Sequence, residues 1–112
     1  MEIQLSKIEQ VLKLSLNGRL DGVTASIVEK EFQAQIDLGE RLFVFDLTHV
    51  SYISSAGLRA VLIAAKKTKS VQGKLAFVGL DDNVKEVFDM SGFSTILSIY
   101  STEQEAIQAF QA

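Results

Sequence analysis

The chain has 112 residues, 47% of them apolar and 22% charged, which is enough for one domain with a self-supporting core. It contains no cysteine, so disulfides and thiolate metal sites are excluded, and its net charge of −3 without a basic stripe argues against nucleic acid as a partner. The longest strongly apolar stretch, Leu58 to Ala65, is interrupted by Arg59 and is too short to cross a bilayer; Met1-Glu2-Ile3-Gln4 lacks a basic region before an apolar one, so a cytoplasmic protein without a membrane partner is expected.

Residues 3–8 and 11–17 read as two strands. In the second, Leu12, Leu14 and Leu16 alternate with Lys13, Ser15 and Asn17, the pattern of a half-buried strand. Only Glu9-Gln10 lies between them, which predicts a hairpin, and Gly18 closes the segment. A helix follows from about Val23 to Leu38, with Ala25, Val28, Phe32 and Ile36 on one face, Asp21 or Thr24 as cap and Gly39 at its end. Residues 42–47 are almost wholly apolar, as in a central strand covered on both faces. A second helix runs from about Ser55 to Val71, with Leu58, Val61, Leu62 and Ala65 toward the sheet. Leu75 to Leu80 is a strand, 83–90 a short helix capped by Asp81 or Asp82, and Ile96 to Tyr100 a last strand. Thr102 and Glu105 form a capping box for a final helix over 103–111. The order ββαβαβαβα predicts an α/β fold: a small mixed, mostly parallel sheet with four helices in a single domain spanning 1–112.

Residues 42–58 hold the most information about function. An apolar run ends in Asp46, a short polar link follows, then Tyr52-Ile53, then Ser54-Ser55 where the second helix begins. Ser55 there reads as an ordinary cap, yet unpaired N–H groups and the positive end of the helix dipole also suit a phosphate at that point. Ser55, Arg59 and Ile63 follow one i, i+4, i+8 row, so they form either a partner-binding strip or, for Ile63, a contact with a neighbouring helix. Arg59 can pair with a phosphate on Ser55 or with a carboxylate such as Asp21, although a solvated surface arginine is the plainer reading.

Catalytic chemistry is hard to assemble. His49, the only histidine, reads as a loop residue in the polar link, and no His/Cys set has zinc spacing. The glycines at 18, 22, 39 and 57 make no phosphate-cradling motif. Asp46 at a strand end is a weak signal and reads best as a turn former. No enzyme, cofactor or metal is expected.

The segment Asp46-Leu47-Thr48-His49-Val50-Ser51-Tyr52-Ile53-Ser54-Ser55-Ala56-Gly57-Leu58 resembles the signature of STAS-domain anti-sigma factor antagonists, and Gly18-Arg19-Leu20-Asp21 resembles the family's Gly-x-Leu-Asp before the first helix. The element order is similar over essentially the whole chain. The resemblance implies a protein, monomeric when free, that binds an anti-sigma factor serine kinase and so frees a sigma factor. It implies phosphorylation at Ser55 as the off-switch, with a serine phosphatase to reset it. Asp21, Ser54, Ser55, Gly57, Arg59 and Ile63 are then the partner-binding candidates. One departure matters: the residue before the phosphorylated serine is commonly Asp, and here it is Ser54, which offers a second hydroxyl for modification. Two other readings stay open. One is a STAS-type interaction module without a phosphoswitch, in a signalling or lipid-transport complex. The other is a receiver-like domain, against which the isolation of Asp46 argues.

Overall fold

The computed structural model describes residues 1–111. Strands β1 (Glu2–Ile8), β2 (Val11–Leu20), β3 (Leu42–Ile53), β4 (Lys74–Val78) and β5 (Ser98–Tyr100) form one sheet in the order β1-β2-β3-β4-β5. β1 and β2 make the expected antiparallel hairpin, with Ile8 opposite Val11 and Glu9 at a positive φ of 56° in the turn. All later neighbours are parallel. Helices α1 (Gly22–Asp37), α2 (Ser55–Ser70), α3 (Asp82–Met90) and α4 (Glu103–Gln111) alternate with the strands. The expected mixed sheet and four helices are therefore present.

The alternation of side chains in the strands divides the core in two. Leu12, Leu14, Leu16, Phe43, Phe45, Leu47 and Phe77 join Val28 and Phe32 of α1, Val61 of α2, and Val84 and Phe88 of α3 in the larger cluster. On the reverse face, Val11, Val44, Ala76 and Val78 pack against Ala106 of α4 in a smaller one. The near-continuous apolar run of β3 follows from this: Phe43 and Phe45 feed one cluster and Val44 the other. A chain of aromatic contacts, Phe32–Phe45, Phe45–Phe77 and Phe77–Phe88, crosses the larger cluster edge to face, with centroids 5.4 to 6.0 Å apart.

Three sequence expectations need correction. First, the polar link after Asp46 is strand, not loop. β2 runs on to Leu20 instead of ending at Asn17, and it carries β3 with it: Asn17 pairs with His49, Gly18 with Val50, Arg19 with Tyr52 and Leu20 with Ile53. Val50 and Ile53, buried among polar neighbours, keep this end of β3 on the core. Two register shifts interrupt the ladder, and Gly18, at a φ of 129°, takes a backbone conformation there that other residues resist. His49 is thus an exposed strand residue. Second, the last strand starts at Ser98 rather than Ile96, because Phe93–Thr95 form a 3-10 turn that leaves Ile96 exposed and Leu97 buried. Third, the buried stripe of α2 is rotated from the expected one. Gly57, Ala60, Val61, Ala64 and Thr68 are buried, while Leu58, Leu62 and Ala65 are only half-buried. The projection considered the sheet alone, whereas α2 also lies against α1, and small side chains let the two helices approach.

Candidate functional site

β2 and β3 end side by side, and each feeds directly into a helix. The Ser54 N–H donates to the Leu20 carbonyl across this boundary, at 2.9 Å. The starts of α1 and α2 are therefore neighbours, with Asp21 capping one and Ser54 the other.

Asp21 is a strong cap. Its Oδ1 accepts the N–H groups of Val23 (3.0 Å) and Thr24 (3.1 Å), and its own N–H donates to the Thr24 hydroxyl, completing a capping box. The Thr24 N–H bond is the main cause of a carboxyl pKa held below the ordinary value. The Val23 N–H, the Thr24 hydroxyl and Arg19 act in the same sense against desolvation.

At the start of α2, the sequence assigned capping to Ser55, and the structure gives it to Ser54. The Ser54 Oγ accepts the Gly57 N–H at 3.2 Å, with Ser54 in extended backbone (φ −93°, ψ 175°). Ser54 is half-buried. Ser55, the first helical residue, is exposed, as is Ala56. Gly57 lies beneath them and offers a partner no surface. A Cβ there would stand 2.5 Å from the Leu20 carbonyl oxygen and 2.9 Å from Ile53 Cγ1, so only glycine lets α2 start this close to the end of β2. Gly57 thus has a packing role in this seam.

The proposed strip along α2 divides as well. Arg59 is exposed one turn beyond Ser55 and makes no ion pair among the described residues, with Asp21 or any other carboxylate. Ile63 is half-buried and turns into the seam between α2 and α1, where it lines a small gap with Val28 and Phe32. The contact with a neighbouring helix is the one realised.

Sequence reasoning passed over two residues here. Arg19 of β2 stacks on the ring of Tyr52 of β3, its guanidinium carbon 4.0 Å from the ring centroid, and its Nε lies 4.0 Å from Oδ2 of Asp21. The available signal was an arginine at the variable position of Gly-x-Leu-Asp together with the aromatic of the pair before Ser54. Their contact depends on a ladder that the sequence did not reveal. Val23, on the first turn of α1, is 76% exposed beside this group.

Asp46, by contrast, is far from this surface in role. It points to the α4 face of the sheet, where Oδ1 accepts the Thr48 N–H and hydroxyl and Oδ2 lies 3.7 Å from Lys13 Nζ. Lys13 also pairs with Glu103 of α4 at 2.9 Å. Burial works to raise the Asp46 pKa, but Thr48 and Lys13 outweigh it and hold the carboxyl low; the bond to Glu103 is the chief reason Lys13 is raised. This group ties α4 to the sheet.

Comparisons with known proteins identify the family and the fold. The family model described as the STAS domain matches residues 2–106. BtrV of Bordetella bronchiseptica, provisionally named an anti-sigma factor antagonist, is 41% identical over 111 residues, covering 99% of this chain and 96% of BtrV. The anti-sigma-B factor antagonist of Listeria monocytogenes is 35% identical over 89 residues, covering 79% of this chain and 77% of the relative. A crystal structure of a provisionally named anti-sigma factor antagonist from Thermotoga maritima superimposes with a TM-score of 0.94 at 22% identity, covering 98% of this chain and 95% of the other. With its signature segment at the β3–α2 boundary and relatives aligned along nearly its full length, the chain belongs to the STAS domain family.

Proposed function

We propose that this protein is an anti-sigma factor antagonist that binds an anti-sigma factor serine kinase while Ser55 is unmodified, and so frees a sigma factor. The observation that carries this reading is the division of labour between the two serines: Ser54 occupies its oxygen in capping α2, and Ser55 presents a free hydroxyl at the surface. The relatives named as anti-sigma factor antagonists support the same assignment.

The switch follows from the chemistry of that position. The kinase transfers the terminal phosphoryl group of ATP to the Ser55 Oγ: the new O–P bond forms, the bond to the departing ADP breaks, and the hydroxyl proton passes to a base on the kinase. The product carries about −1.5 to −2 charges and a bulky hydrated group. The first turn of α2 tolerates that charge through its free N–H groups and dipole, so the fold survives. A docked partner does not, because burying the charge without a cation opposite costs several kcal/mol. A loss of about 2.8 kcal/mol already weakens binding about a hundredfold. A serine phosphatase restores the hydroxyl. The protein acts by binding alone, as a cytoplasmic monomer when free.

The test begins with Ser55→Ala as bait to recover the partner from the source cells. The recovered kinase with ATP is then applied to wild type, Ser54→Ala and Ser55→Ala, read by intact mass. Phosphate uptake by wild type and Ser54→Ala but not by Ser55→Ala is expected, with Ser55→Asp losing affinity at least tenfold. Modification of Ser55→Ala, or undiminished binding by authentic phosphoserine protein, overturns the proposal.

A further inference from the structure

The remaining question at this site is where the phosphate goes once it is made. We propose that Arg19 receives it: the guanidinium exchanges the carboxylate of Asp21 for the phosphoryl oxygens on Ser55 while staying stacked on Tyr52. This rests on Ser55 as the acceptor, and it deepens that reading by giving the switch an internal latch.

Four observations converge on Arg19. Its contact with Asp21 is weak, with the Nε at 4.0 Å and the Asp21 Oδ1 already committed to the α1 cap. Its guanidinium carbon lies over the Tyr52 ring, 4.0 Å from the centroid, and a planar fork resting there loses less entropy when it grips an anion. It is within reach. Arg19 sits opposite Tyr52 in the ladder, and Ser55 lies three residues further along the chain. The Ser54 N–H meets the Leu20 carbonyl at 2.9 Å, so Arg19 and Ser55 each lie one residue from that direct contact between the two segments. Finally, the residue before the acceptor is Ser54, so no second carboxylate beside the acceptor competes for the cation. The charged groups around the acceptor are then Arg19, Asp21 and Arg59. Both arginines carry the same planar, bidentate guanidinium, but Arg19 lies over a ring and beside a carboxylate, whereas Arg59 is exposed and makes no ion pair among the described residues.

The latch predicts a property of the protein by itself. Phosphoserine encoded genetically at position 55 is titrated by phosphorus NMR in wild type and in Arg19→Ala, Arg59→Ala and Tyr52→Ala backgrounds. In wild type the second phosphate pKa should fall below its usual value of about 6. The Arg19 variant should raise it by roughly 0.3 to 0.7 unit, the size expected of a partly exposed ion pair. Arg59→Ala should leave it nearly unchanged, and Tyr52→Ala should give an intermediate value because it frees the guanidinium without removing it. Should the alanine variant fail to fold, Arg19→Gln keeps the length of the side chain without its charge. Equal values in wild type and the Arg19 variant, or a shift that disappears only with Arg59, overturn the latch. Because the phosphate is installed without a kinase, that result leaves the switch standing. Failure of the kinase to modify Ser55 defeats the switch without touching the measurement on Arg19.

Discussion

At the scale of single residues, Ser54 and Ser55 differ by one position and by everything that position decides. Ser54 accepts a backbone N–H that would otherwise be unpaired at the start of α2, whereas Ser55 satisfies nothing in the fold. Ser54→Ala should therefore cost about 1 kcal/mol in urea or thermal unfolding, and Ser55→Ala should stay within about 0.5 kcal/mol of wild type. A reversed order would mean that Ser55 is the cap. Asp46 gives a prediction in pH. Its native pKa is depressed below the ordinary 3.8 by Thr48 and Lys13, once burial has been overcome. The unfolded chain thus binds the proton first. The stability Asp46 supplies is complete above about pH 4 and is lost as pH falls through its native pKa. Asp46→Asn should flatten the acid limb of the stability curve while lowering the plateau at neutral pH. Lys13 has the opposite sense: raised in the fold, its contribution is present below 10.5 and lost as pH rises through its native value.

Among the elements, the seam where β2 and β3 turn into α1 and α2 is closely packed. Gly57 places the α2 backbone against the Leu20 carbonyl, and Ser54 is tied to the same carbonyl. Gly57→Ala cannot be relieved by side-chain shifts alone, since the tightest obstruction is the Leu20 carbonyl oxygen. It should destabilise by roughly 1–3 kcal/mol, as overpacking does, and should also shift the start of α2. Amide exchange at Ser54 to Leu58 would register that movement, and protection unchanged from wild type would sink the account. The same seam explains why the sequence expectation for α2 was rotated. Periodicity identified an amphipathic helix, but Ala60 and Ala64 reveal the neighbouring helix only when α1 is in place beside them. For α1 the periodicity was sufficient: Ala25, Val28, Phe32 and Ile36, expected on one face, are the buried residues.

For the whole molecule, the aromatic chain runs through the larger cluster and links its elements. Phe45 touches both Phe32 of α1 and Phe77 of β4, joining one side of the domain to the other. Phe45→Ala should cost about 3–5 kcal/mol. That is a large share of the roughly 5–15 kcal/mol that holds a domain together, so chemical denaturation should show a midpoint far below wild type or no folded baseline. A loss under about 1 kcal/mol would mean that the cluster closes around the vacancy. α4 covers the smaller cluster on the reverse face and is held there by Ala106 and by the Glu103–Lys13 pair. The proposed switch surface, on the seam end, does not draw on α4.

The sequence by itself determined the order of elements, the division of β3 between two cores and the place where a serine opens the second helix. These are local matters: alternation, helical period and capping chemistry are written within a few residues of one another. Only the tertiary structure decided that Thr48 to Ser51 extend a strand, that Ser54 rather than Ser55 is the cap, that Ile63 faces α1, and that Arg19 lies on Tyr52. Each depends on what stands opposite in space. Backbone donors choose partners across the ladder, and side chains choose faces against neighbours that are distant in the chain.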